Sequence, residues 1–191
     1  MIETHRFAKV EINSITDLHD WLAANHQQEA CVWMVRYMQH VPDKYVGRLE
    51  ALDELVAFGW IDGIARKLDA DRTMQLISPR KQQIWTQTYR DRAARLEREG
   101  RMQESGRAAI KRSKALGLWE ADADVDALIV PDDLAEALSA AQALGNFNGA
   151  APSYRRNVLR WIKQAKKAET RAARIARTVD FAQRNARMPQ M

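Results

Sequence analysis

The chain of 191 residues reads as an α+β protein: a small mixed β-sheet with helices in an N-terminal lobe, then an all-helical C-terminal lobe. Three observations point there. Short Val- and aromatic-rich runs such as ACVWMVRYM occur before Pro79 and not after it. Helical spacing of apolar residues, with Gly or Asp at its ends, occupies the sequence beyond Pro79. No internal repeat divides the chain. The expected lobes are 1–80 and 81–191, joined as one continuous folded unit.

Residues 7–12 alternate as a half-buried strand, and 15–25 carry Ile15, Leu18 and Leu22 at helical spacing. Residues 30–38 form a buried strand. Residues 48–58 place Leu49, Leu52, Leu55 and Val56 in helical register, with Gly59 positioned to stop the helix. Residues 60–67 and 73–78 are two strands around the turn residues Asp69-Ala70-Asp71-Arg72. Helices follow at 84–99, ended by Gly100, and at 102–115, ended by Gly117. Pro131-Asp132-Asp133 caps a helix that begins at Leu134. Residues 145–152 are expected as a loop, and 153–187 as helix with a bend at 165–169. On the last helix Ala168, Ala172, Ile175, Val179, Ala182 and Ala186 share one stripe, with Arg171, Arg174, Arg177, Arg184 and Arg187 spread opposite. Trp21, Trp33 and Trp161 sit on apolar stripes and are expected to be largely buried.

Composition excludes several classes. A hydrophobic content of 46% with 29% charged residues belongs to a folded globular protein. The longest uncharged run, 137–154, contains Gln, Asn, Gly and Pro and suits no membrane span. MIETHRFAKV has no apolar signal core, and the single cysteine, Cys31, allows no intrachain disulfide, so the expectation is a cytoplasmic protein. His5, His19, His26 and His40 lack metal-ligand spacing. Asp122, Asp124 and Asp126 imitate the start of a calcium loop, but Ala127 replaces its glycine and Asp133 its glutamate. No metal and no cofactor is expected, and no catalytic residue is identified.

The net charge of +5 conceals blocks. Residues 151–191 hold 11 basic against 2 acidic groups, whereas 115–150 hold 7 acidic and no basic ones. Such blocks serve either a partner surface or mutual neutralisation between helices.

FGWIDG, SPRKQQIW, REGRM and AKKAETRAARIAR occur in this order over most of the chain. In order and spacing they resemble the bacterial YdeI/OmpD-associated family, departing from its pattern at Gln83, Thr86 and Tyr89. The family's name implies bacteriocin protection or association with an outer-membrane porin, and the resemblance brings no catalytic residues; the expected role is of stress- or antimicrobial-resistance type.

Two candidate binding groups follow from the motifs. Trp60, Asp62, Arg80 and Trp85 could converge, giving a guanidinium for an anion, an indole to stack, and a carboxylate to orient Arg80. The competing reading is a fold signature, with Asp62-Gly63 forming a bulge. Lys166 and Arg171 could clamp a phosphate or carboxylate, or else form solvated ion pairs. The favoured reading is a non-enzymatic protein binding an anionic small molecule or an acidic protein partner. The alternatives are a nucleic-acid binder using the basic C-terminal helix and an enzyme with a site near Asp62, Arg80 and Trp85.

Overall fold

A computed structural model describes residues 6–189. It has two compact units, Met1–Glu120 and Ala121–Met191. In the first, β1 (Lys9–Ile12), α1 (Ile15–Asn25), β2 (Val32–Tyr37), α2 (Arg48–Ala57), β3 (Trp60–Lys67), β4 (Arg72–Pro79), α3 (Gln87–Arg98) and α4 (Glu104–Ala115) follow in order. The second contains α5 (Ala123–Asp126), α6 (Asp132–Ala140), α7 (Leu144–Gly149), α8 (Pro152–Lys163) and α9 (Ala168–Gln183). The mixed sheet and the absence of strands beyond Pro79, among the described residues, match the α+β expectation.

The four strands lie in the order β1-β2-β4-β3. β1 runs parallel to β2, and β4 pairs antiparallel with both β2 and β3. α1 makes the parallel crossover from β1. Its start is capped by Ser14, whose hydroxyl accepts from the Asp17 amide at 3.0 Å, satisfying an orphan donor of the first turn. Leu18 and Leu22 bury one stripe of α1 in a core with Ile12, Met34, Leu55, Ile77 and Leu96.

The FGWIDG stretch is explained by two close approaches and one bulge. Gly59 has φ +78° and ends α2, and a Cβ there would lie 2.8 Å from the Ala109 Cβ on α4. Gly106 faces the same contact, where a Cβ would sit 2.1 Å from the Ala57 carbonyl oxygen. The β3–β4 register then shifts between Asp62 and Ala65, as the Asp-Gly pair suggested.

Three details differ from expectation. The compact unit extends to Glu120 instead of ending near residue 80. The physical reason is that α3, α4 and the segments leading into them close the core: Trp85, Ala93, Leu96 and Met102 join the cluster of Trp60 and Leu55, and Ile110 of α4 packs against it. Arg92 and Arg95 also pair with Asp53 of α2. Pro79 thus marks the end of strand-forming sequence and leaves the hydrophobic unit incomplete. Residues 144–149, expected mostly as loop, form the short helix α7, because Phe147 finds a buried place in the second core. Trp33 is buried, whereas Trp21 and Trp161 are half-buried.

In the second unit Leu134, Leu138, Phe147, Val158, Leu159 and Ile162 form a separate core. The bend expected at 165–169 is the break between α8 and α9. The alanine stripe of α9 is only partly covered: Ile175 and Ala182 are buried, while Ala168, Ala172 and Ala186 are exposed.

Candidate functional site

Arg80 follows directly on the last residue of β4, and its amide donates to the Gly59 carbonyl at 2.9 Å. Its side chain is only 1% exposed. The guanidinium carbon lies 4.1 Å from the Trp85 ring centroid and 4.7 Å from that of Tyr89. Nη1 donates to the Ile84 carbonyl at 3.1 Å, while Nε and Nη2 are buried without an acceptor among the described residues. Burial lowers the Arg80 pKa to about 10, opposed by Tyr89 and Asp62, so the group remains charged at neutral pH.

Asp62 does not bond Arg80. One of its oxygens accepts from the Tyr89 hydroxyl and the other from Gln75 Nε2 at 2.8 Å, with Arg48 3.8 Å away. Tyr89 therefore stands between the two predicted partners, its hydroxyl on the carboxylate and its ring on the guanidinium. Burial first, and the bond to Asp62 second, push the Tyr89 hydroxyl above its ordinary pKa. Trp85 is fully buried and donates Nε1 to the Ser113 hydroxyl at 2.8 Å. Trp60 is also buried, with its ring edge-on to Trp21 at 5.5 Å. Of the predicted quartet, Arg80 and Trp85 touch, Asp62 joins through Tyr89, and Trp60 belongs to the core. The Trp85 indole, the Tyr89 ring and the Arg80 guanidinium pack on one another, and the buried Trp85 offers no exposed face for a ligand to stack on.

The open space lies on another side. A cavity of about 820 Å³ is bordered by Arg80, Lys81, Arg112, Glu29, Glu104 and Ser105, and not by Trp60, Asp62 or Trp85. Arg112 reaches it from α4 and donates Nη2 to the Arg80 carbonyl at 3.0 Å. Lys81 is exposed and meets Glu29 at 3.2 Å. α4 begins at this wall with no side-chain cap on its first turn, leaving amide donors and the positive end of the helix dipole there. Ser105 and Arg112 lie outside the quoted motifs, and Lys81 lies inside SPRKQQIW without having been singled out. Residues 80–114 hold 11 basic against 4 acidic groups, the one signal for Lys81 and Arg112, but such a count does not say where those charges gather, and Ser105 carries no signal at all.

The C-terminal candidates behave differently from the clamp expected of them. Arg171 Nε and Nη2 donate to the two oxygens of Asp133 at 2.6 and 2.8 Å, which ties α9 to α6. Lys166 is exposed between α8 and α9, and no contact joins it to Arg171. The acidic and basic blocks neutralise one another in this unit. Arg160 donates to buried Asp122 at 2.8 Å, and Lys163 pairs with Asp124. Arg174 donates to the Trp161 carbonyl and Arg184 pairs with Asp180, so much of the expected open basic face is engaged. The calcium-like aspartates Asp122, Asp124 and Asp133 are thereby taken by cations. His5 lies outside the described residues.

With this geometry in place, comparison with known families defines the class. Residues 10–109 match the model of a domain of unknown function, DUF8412, and the chain belongs to that family. Residues 127–185 match the model described as "Bacteriocin-protection, YdeI or OmpD-Associated", the family that the motifs suggested. FGWIDG and SPRKQQIW fall in the first match and AKKAETRAARIAR in the second. No curated protein and no solved structure matches the chain.

Proposed function

We propose that the chain is a non-enzymatic binding protein of the cytoplasm, taking a small anionic ligand into the Lys81–Arg112 cavity in a stress- or antimicrobial-resistance role. The observation that carries this reading is the placement of Lys81, Arg112 and the uncapped start of α4 around one space of about 820 Å³. Guanidinium, ammonium and amide donors on one wall hold a carboxylate or phosphate by charge and hydrogen bonding. Glu29 and Glu104 border the same space and favour a ligand that also carries an N–H or ammonium group. The description of the matched C-terminal family, bacteriocin protection, is compatible with sequestration of such a ligand. A nucleic-acid role has weaker support, because Arg171, Arg174 and Arg184 are already engaged.

Isothermal titration with inorganic phosphate, citrate and glutamate tests the reading. At least one should bind, and Lys81→Ala with Arg112→Ala should weaken it by about tenfold or more, the cost of losing charge-assisted contacts. Unchanged affinity in that double variant, or no heat from any of the three ligands at millimolar concentration, would sink the proposal.

A further inference from the structure

α4 carries chemistry on two faces. Ser105, Ala108, Ala109 and Arg112 border the cavity, whereas Arg107, Ile110, Lys111 and Lys114 point along a different stripe. That second stripe forms one side of a groove of about 490 Å³ against α3. Its floor is apolar: Ala93, Ala94, Ile110 and Trp119. Ala94 is exposed, and Ile110 and Trp119 are half-buried.

Its rim is basic. Arg107 is spent on Glu97 of α3 at 3.0 Å, which spans from one helix to the other. Lys111 and Lys114 meet no carboxylate among the described residues, and the Lys114 ammonium lies 5.1 Å from the Trp119 ring centroid. The two lysines are three residues apart on a helix, so their ammonium groups stand about one turn apart. An apolar slot edged by two such cations matches an amphipathic helix with one apolar anchor and carboxylates a turn apart.

We propose that the α3–α4 groove docks an acidic amphipathic helix of a partner protein, seating one leucine- or phenylalanine-sized side chain over Ile110 and Trp119 while Lys111 and Lys114 pair with its carboxylates. Charge complementarity selects this occupant. The floor is mostly aliphatic (Ala93, Ala94 and Ile110) and offers a nucleic acid one half-buried indole, Trp119, for base stacking, whereas an apolar anchor of a helix uses the whole of it. The site is distinct from the Lys81–Arg112 cavity and does not depend on the ligand proposed there.

The probe is a fluorescein-labelled amphipathic peptide with leucines on one face and glutamates on its flanks, added to the full chain and read by anisotropy. Binding at a Kd of about 10⁻⁴ M or tighter is expected, the range of a small groove closed by a few contacts. Lys111→Glu with Lys114→Glu should weaken it by about tenfold or more, as should Ile110→Asp, while Lys81→Ala leaves it unchanged. The lysines are exposed, so their exchange spares the fold, which a thermal melt verifies. In the unsubstituted protein the Trp119 indole N–H resonance should shift on titration, which gives a readout independent of any variant. The proposal is overturned by equal affinity in the double lysine variant, by equal or tighter binding of the peptide with lysine in place of glutamate, or by no binding. Preference for a single-stranded oligonucleotide would also overturn it. So would self-association in sedimentation that Ile110→Asp abolishes, since a second copy would then be the occupant.

Discussion

Arg80 is enclosed by two aromatic rings, with Nε and Nη2 lacking acceptors. A buried guanidinium is costly to desolvate, and cation–π contacts in a dry site return about 2 kcal/mol. The balance makes the side chain chiefly a space-filling tie between β4 and α3. Arg80→Ala should therefore destabilise the N-terminal unit by about 2–4 kcal/mol through the hole left beside Trp85. Arg80→Met, which keeps most of the volume and removes the charge, should stay within about 1 kcal/mol of the parent. Urea unfolding followed by tryptophan fluorescence distinguishes them, and equal losses in both variants would show that charge, not volume, dominates. The sequence singled out Arg80 and Trp85 as neighbours, and they touch. It paired Asp62 with Arg80 because nothing local reveals that Tyr89, 27 residues beyond Asp62, inserts between them. Tyr89 stood out only as a departure from the pattern the motifs resemble.

At the scale of elements, the contact between the end of α2 and the start of α4 depends on two glycines with different duties. Gly59 needs both positive φ and space, Gly106 needs space alone, and Gly117 has φ +69° with nothing within 4 Å of a Cβ. A left-handed backbone costs a non-glycine residue about 1–2 kcal/mol, and a forced clash adds to that. Gly117→Ala should thus cost about 1 kcal/mol in urea unfolding, and Gly59→Ala about 3 kcal/mol or more. Gly106→Ala should rank with Gly59→Ala, because backbone at Ala57 cannot give way as a flexible side chain would. A Gly106→Ala protein as stable as Gly117→Ala would contradict the close helix packing. Gly59 and Gly117 were legible as helix stops. Gly106, inside a helix, carried no such signal, because its reason is a partner helix remote in sequence.

At the scale of the whole molecule, each unit has its own apolar core, and the C-terminal unit adds ion pairs between its acidic and basic segments. Hydrogen bonds from Arg171 hold the Asp133 carboxyl below its ordinary value, and Lys163 does the same for Asp124. A carboxyl depressed in the folded state contributes stability that is fully present above the ordinary value of 3.8 and is lost as pH falls through the lower, folded value. Both groups are largely exposed, so solvent screening keeps each contribution to about 1 kcal/mol or less. Amide protection factors in α6 and α9, corrected for the intrinsic exchange rate at each pH, should fall below about pH 4, and Asp133→Asn should be less protected than the parent at neutral pH, with a flatter dependence on acid. Identical pH profiles for the two proteins would remove Asp133 from the account.

Periodicity and punctuation alone determined the α+β class, the strands ending at Pro79, the helix stops at Gly59, Gly100 and Gly117, and the separation of charge into blocks. These are properties of neighbouring residues: side-chain spacing sets which face is apolar, and glycine or proline sets where the backbone turns. Tertiary structure alone decided that α3 and α4 complete the first unit, that Tyr89 separates Asp62 from Arg80, and that Arg171 belongs to Asp133. It also decided that Lys81 and Arg112 border one cavity. Those outcomes depend on which distant faces meet, because a core closes only when enough apolar surface is covered and a buried charge settles on whichever partner the packing brings within reach.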